Sequence, residues 1–343
     1  MRSSRRRISL SRAARNGHDE VVTLLLGRKG VDPNKTDKHG RTPLLWAAKM
    51  GRDRVAKLLL EHEDVNPNIA DRDGRTPLSW AADYGCYGVV ELLLERDDVN
   101  PNMADRSGLT PFLCAVRSGH DAVVKLLLRC RDVNPNMADK HGNTPLMLAA
   151  ASDDHEVVQI LLRHEDVNPN RVNKDGITPL MSAAKDGYHE VVRLLLRRED
   201  VDPNMADNFN RTVLSCAAEH GRDQVAKILL EREDINPNIK SYHVQAPLTS
   251  AARLGNGEIV KLLLRCKNIN LNITDKVGRT PLSWAAASGN DEVVKLLLGQ
   301  EDIDPNIPDI YGLTPLRWAS RTRNEGAVNL LKQALQSTNH DAV

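Results

Sequence analysis

Apolar and polar positions alternate along this chain in a pattern that returns every 34 residues. Residues 71–102, DRDGRTPLSWAADYGCYGVVELLLERDDVNPN, show most of one period of it. Leu78, Trp80, Ala81 and Ala82 predict a short helix with a small, close-packing face. Val89, Val90, Leu92, Leu93 and Leu94 predict a second helix, apolar over a wide stripe. The flanking polar residues supply the punctuation. Asp71 to Gly74 form a turn signal, with a glycine free to take positive φ. Thr76 is a good helix N-cap, and Pro77 suits the first helical position, where its missing N–H costs nothing. Gly85 separates the two helices. Asp98 occupies a slot held elsewhere by Gly30, Asn268 or Asp, which predicts a left-handed stop after the second helix.

The register is strict. Thr42, Thr76, Thr110, Thr144, Thr178, Thr212, Thr280 and Thr314 share one phase, and Ala246 fills the remaining slot. Leu26, Leu60, Leu94, Leu128, Leu162, Leu196, Leu230, Leu264 and Leu298 share another without a miss. Such a period signals stacked supersecondary units, each with too little apolar surface to fold alone. The 343 residues would by length suggest two domains, but the period predicts one elongated array over residues 8–338. Its repeats start near residues 8, 37, 71, 105, 139, 173, 207, 241, 275 and 309. A basic tail over 1–7 and a short tail over 339–343 flank it.

The string D-x-x-G-x-T-P-L-x-x-A-A-x-x-G-x-x-x-V-V-x-L-L-L resembles the ankyrin repeat over nearly the whole chain. The resemblance implies an all-α solenoid of helix-turn-helix units with β-hairpin or turn fingers. The period here is 34 where the family usually has 33, and the extra residue falls in the D-V-N-P-N segment. In place of the family's usual His after T-P-L stand residues such as Leu45, Ser79, Met147 and Arg317.

Both ends carry cap substitutions. Arg12 replaces the apolar residue of the Trp46 and Trp80 slot, and Lys332 replaces the Leu298-type leucine, where another repeat would bury its charge. These caps and the initial Met predict a self-standing array. Asp153 stands at a turn-glycine position, a tolerable exchange in the left-handed region. Two repeats are irregular: Asn210 and Val213 replace a turn Gly and a helix-start Pro, and Ser241, Val244 and Ala246 replace a turn Asp, a turn Gly and a Thr cap. A weakened joint is expected around residues 205–250.

Composition excludes more than it identifies. The net charge of +1 selects no partner class, and no apolar run approaches a bilayer span. The five cysteines give no disulfide framework and favour a reducing, cytoplasmic location. The basic stretch MRSSRRR reads as a solvated tail, a nuclear signal or the start of a transit peptide. No Gly-rich phosphate loop, metal spacing or catalytic constellation is readable. His39, His141 and His243 share a tip slot three repeats apart, too far to share an ion. Acidic pairs such as Asp97-Asp98 and Asp153-Asp154 read as caps, and Trp46, Trp80, Trp284 and Trp318 as core. No enzyme, cofactor, metal or small-molecule substrate is expected.

The resemblance implies that partners bind a concave face of hairpin tips and first-helix ends. Across nine repeats that face holds fifteen basic and five acidic residues, a surplus of ten on a chain of net +1. Larger apolar residues gather late. The expected partner-binding residues are Phe209, Arg211, Tyr242, His243, Arg253, Leu254, Lys276, Arg279, Ile310, Tyr311 and Arg321. Their chemistry suits an acidic, partly apolar protein segment. The expected function is a monomeric protein-binding scaffold or adaptor. The alternatives are the sensing array of a nucleotide-binding signalling system, or a nucleic-acid binder using the basic face.

Overall fold

The computed structural model describes residues 9–242 and 245–340, with side chains to residue 336. The basic tail over 1–7, His243 and Val244 lie outside the described residues. The chain divides after Lys174 into two compact units.

In the first unit the odd helices open each repeat: α1 (Leu10–Asn16), α3 (Pro43–Lys49), α5 (Pro77–Asp83), α7 (Pro111–Arg117) and α9 (Pro145–Ala150). Their partners are α2 (Asp19–Leu26), α4 (Asp53–Leu60), α6 (Tyr87–Leu94), α8 (Asp121–Arg129) and α10 (His155–Leu162). Odd helices pack on the next odd helix and even on the next even, as a solenoid requires. The second unit repeats this with α11 (Pro179–Asp186), α13 (Val213–Glu219), α15 (Pro247–Leu254), α17 (Pro281–Ser288) and α19 (Pro315–Thr322). Behind them run α12 (His189–Leu196), α14 (Asp223–Leu230), α16 (Gly257–Leu264), α18 (Asp291–Leu298) and α20 (Glu325–His340).

The helix starts follow the capping chemistry. Each of the eight phase-matched threonines accepts the backbone N–H three residues on, as Thr76 does from Ser79. Ala246 adopts the same extended backbone, φ −75° and ψ 161°, but offers no cap. Among the described residues no strand forms. The expected fingers are turns, joined tip to tip by single hydrogen bonds. In the first unit the N–H of Arg72 donates to the His39 carbonyl at 3.0 Å and that of Lys140 to Ser107 at 3.1 Å. In the second, Tyr242 donates to Phe209 at 2.6 Å and Ile310 to Val277 at 3.0 Å.

The core runs through Leu59, Leu93, Leu127 and Leu161 in the first unit and Leu195, Leu229, Leu263, Leu297 and Leu331 in the second, all fully buried. Each contributes about 2 kcal/mol by leaving water. The stricter leucine series, Leu26 to Leu298, lies one residue later and is only half-buried. Lys332 falls in that series and is exposed. Asp98 and its non-glycine equivalents do not take the expected left-handed conformation. Among the described residues the non-glycine residues there are Asp153, Asn210 and Arg323, alongside the glycines, Gly30 included. In the Asp98 slot the backbone is instead held by a neighbour. The second Asn of D-V-N-P-N reaches the following repeat: Asn68 Nδ2 donates to the Asp98 carbonyl at 2.6 Å, and its Oδ1 accepts the Asn100 N–H at 3.0 Å. Asn34 and Asn102 in the first unit and Asn238 in the second do the same. This asparagine ladder occupies the segment that carries the thirty-fourth residue.

Candidate partner-binding face

The turn aspartate organises the tips. Asp71 Oδ1 accepts the N–H groups of Asp73 and Arg75, closing the turn, while Oδ2 accepts the indole N–H of Trp80 at 3.0 Å. Asp37–Trp46, Asp275–Trp284 and Asp309–Trp318 repeat the arrangement at 3.1, 2.8 and 2.8 Å. Burial alone would raise the Asp309 carboxyl. The N–H of Leu313, the Trp318 indole, the N–H of Tyr311 and the Arg279 guanidinium outweigh it and hold Asp309 below the usual carboxylate range. Asp37 is lowered in the same way against its burial, by the N–H groups of Arg41 and His39, the Trp46 indole and the Arg41 charge.

Only Trp80 is buried; Trp46, Trp284 and Trp318 remain half-exposed, contrary to the core placement expected for the set. All four rings make the aspartate bond, so it does not set their burial; cationic side chains cover each ring, and Trp80 also carries the Lys49 ammonium at 3.9 Å. Arg75 stacks on Trp80 at 3.7 Å, and Arg279 on Trp318 at 3.6 Å and on Trp284 at 4.7 Å.

This placement divides the expected site residues. Arg211 is half-buried and bound to Asp207 at 2.7 Å and Glu219 at 3.5 Å. Arg279 lies 3.7 Å from the buried Asp309 carboxylate. Both therefore serve the fold before they serve a partner. The surplus of ten positive charges overstates the free charge for this reason, since Asp207 and Asp309 lie outside that count, as does Asp71, which pairs with Arg75 at 3.9 Å. Tyr242, Ile310 and Tyr311 are 61, 66 and 68% exposed, and Phe209, Leu254, Lys276 and Arg321 are exposed as well. His243 lies outside the described residues. Phe209, Arg211, Glu219, Ser241, Gln245 and Arg253 line a shallow cleft of about 350 Å³. Arg253 presents a buried Nε with no hydrogen-bond partner toward this region.

Burial pushes the Cys114 and Cys216 thiols up to about 12, which keeps them protonated and inert. Among the described residues no group of three His, Cys, Asp or Glu side chains is placed to hold a metal, and no helix is long and apolar enough to cross a membrane. His39 and His141 are exposed tip residues. Of the two acidic pairs, Asp154 caps α10 by accepting the Val157 N–H, whereas Asp98 binds Arg96 at 2.7 Å.

A family profile described as ankyrin repeats (3 copies) matches residues 10–105, 97–173, 165–241 and 245–341. The chain belongs to the ankyrin-repeat family. No curated protein matches it. Ankyrin repeats generally mediate protein–protein interaction and are typically non-enzymatic. The family's usual His after T-P-L is replaced here in three repeats by serine, and the hydroxyls pair: Thr76–Ser79 at 3.1 Å, Thr212–Ser215 at 3.2 Å and Thr280–Ser283 at 3.1 Å.

Proposed function

We propose that this ankyrin-repeat chain is a non-enzymatic scaffold or adaptor, working as a monomer, that binds an acidic, partly apolar segment of another protein. The segment lies across the turn tips and first-helix ends of residues 208–322. Phe209, Tyr242, Leu254, Ile310 and Tyr311 supply the apolar contacts. Lys276, Arg321 and Arg253 supply the charge, and Arg211 and Arg279 hold the tips in place. The reading rests chiefly on the exposure of Tyr242, Ile310 and Tyr311 at turn tips, where most other repeats carry small or charged residues. Exposed aromatics beside arginine are the usual anchors of an interface.

Affinity capture with the full chain and with Tyr242→Ala and Tyr311→Ala tests it. Each substitution is expected to weaken the captured partner by roughly thirtyfold, the effect of losing a hot-spot residue. Equal recovery by wild type and the double variant contradicts the placement.

A further inference from the structure

The first unit carries a cluster of cations that the late-repeat reading does not use. Three cationic side chains from two consecutive repeats converge on two indoles, and a fourth joins them from the next repeat. Arg15, at the end of α1, lies 4.7 Å from the Trp46 ring. Arg41 lies between Trp46 at 4.9 Å and Trp80 at 5.7 Å. Lys49, at the end of α3, places its Nζ 3.9 Å over Trp80 and 5.5 Å from the Tyr84 ring. Arg75 covers Trp80 from the next tip at 3.7 Å.

Of these four, Arg75 alone meets a carboxylate, Asp71 at 3.9 Å and Asp73 at 3.5 Å. Among the described residues Arg15, Arg41 and Lys49 have none within ion-pair distance, and the Nε atoms of Arg41 and Arg75 are buried with no hydrogen-bond acceptor. The neighbouring acids are occupied elsewhere. Asp37 and Asp71 hold their own turns and indoles, and Asp83 is taken by Arg117 at 2.9 Å and Ser118 at 3.0 Å. Burial first, then the charges of Arg41, Arg75 and Arg15, hold the Lys49 ammonium below the usual lysine range, with Asp71 opposing. Like charges gathered on a half-dry aromatic platform, with unused donors, suit an anionic group.

We propose that the Arg15–Arg41–Lys49 cluster over Trp46 and Trp80 is a second docking site, which takes the side-chain carboxylate of an Asp or Glu in a protein segment. An apolar neighbour of that residue rests on Trp80 and Tyr84. Asp73 and Asp83 flank the cluster and repel a run of phosphates, whereas one carboxylate fits between the cations. The proposal rests on the protein-binding reading but sits in the other unit, so the two fail separately.

The test uses the full chain and a fluorescein-labelled peptide of alternating Glu and Leu, with its Gln counterpart and a single-stranded oligothymidylate as comparators. Lys49→Met and Arg41→Met keep an aliphatic stem on the indoles while removing charge and donors. In a chain that also carries Lys276→Met and Arg321→Met, which silence the late face, each is expected to raise the Kd of the Glu peptide roughly tenfold, the scale of one charged hydrogen bond, while Lys57→Met and Lys125→Met, on the second helices α4 and α8, leave it unchanged. In the wild type, the Glu peptide and not the Gln peptide is expected to protect Lys49 from acylation, a readout that needs no variant to fold. Equal binding of the Gln peptide, no loss in Lys49→Met, tighter binding of the oligothymidylate, or unprotected Lys49 overturns the proposal. Failure of the Tyr242 and Tyr311 variants to release a cellular partner leaves it standing.

Discussion

Gly108→Ala is expected to destabilise the chain by about 3 kcal/mol. Gly108 sits at φ +79°, in the left-handed region that costs an L-residue about 1–2 kcal/mol. A Cβ there would also lie 2.6 Å from the backbone nitrogen of Lys140 in the next repeat. Overpacking of that kind costs about 1–3 kcal/mol. Because the neighbour is backbone, relief requires the tips to part and the bond from the Lys140 N–H to Ser107 to lengthen. Gly312 is the control, with φ +70° and nothing within 4 Å of a built Cβ. Its alanine variant is expected to lose only the conformational part, about 1 kcal/mol. Equilibrium urea unfolding followed through the helix signal separates the two. Equal losses would mean that tip-to-tip stacking carries no stability.

Ala246→Thr is expected to stabilise the chain by about 2 kcal/mol. The backbone at 246 already has the capping conformation, so a threonine hydroxyl can accept the Thr249 N–H, a gain of about 1 kcal/mol. A second gain comes from Thr249 itself. It is 1% exposed, and its Oγ1 is buried without a partner. The Thr76–Ser79 and Thr280–Ser283 pairs show what Ala246 has removed: two hydroxyls that satisfy each other at 3.1 Å. Restoring the partner recovers about another 1 kcal/mol. Ala246→Val fills the same space without the hydroxyl and is expected to gain nothing. Amide exchange over residues 205–250, where the irregular repeats meet, should slow in the threonine variant and not in the valine variant. Equal exchange in both would remove the cap as the cause of a weak joint there.

These two variants also mark what was legible in the sequence. Thr-Pro at each helix start, the turn glycines and the Val-Val-x-Leu-Leu-Leu stripe gave the helix pairs directly, because capping, positive φ and apolar periodicity are local. Asn210 and Asp153 in the left-handed region follow from the same local chemistry. The period also made the missing cap at Ala246 visible. It did not reveal which residue of the next repeat each position touches. The Asn68 amide bridges residues thirty and thirty-two positions away, and the Trp80 indole finds an Asp nine positions back. For the same reason Arg211 and Arg279 looked free: Asp207 and Asp309, which bind them, are residues whose spacing says only that they belong to turns. The Asp98 slot misled because Gly30 suggested one conformation for all, whereas the asparagine ladder fixes the others. Arg15 escaped notice as a neighbour of Trp46 because it lies in the first repeat, read as a cap. The signal was available: Arg15 and Lys49 are one period apart.

The measurement that bears most directly on the account is amide hydrogen exchange of the full chain, free and bound to its captured partner. The account predicts slowed exchange at the turn tips near residues 208–211, 276–279 and 310–313 and at the ends of the first helices beside them, with the second helices unchanged. Protection confined to the second helices, α14, α16 and α18, would contradict it.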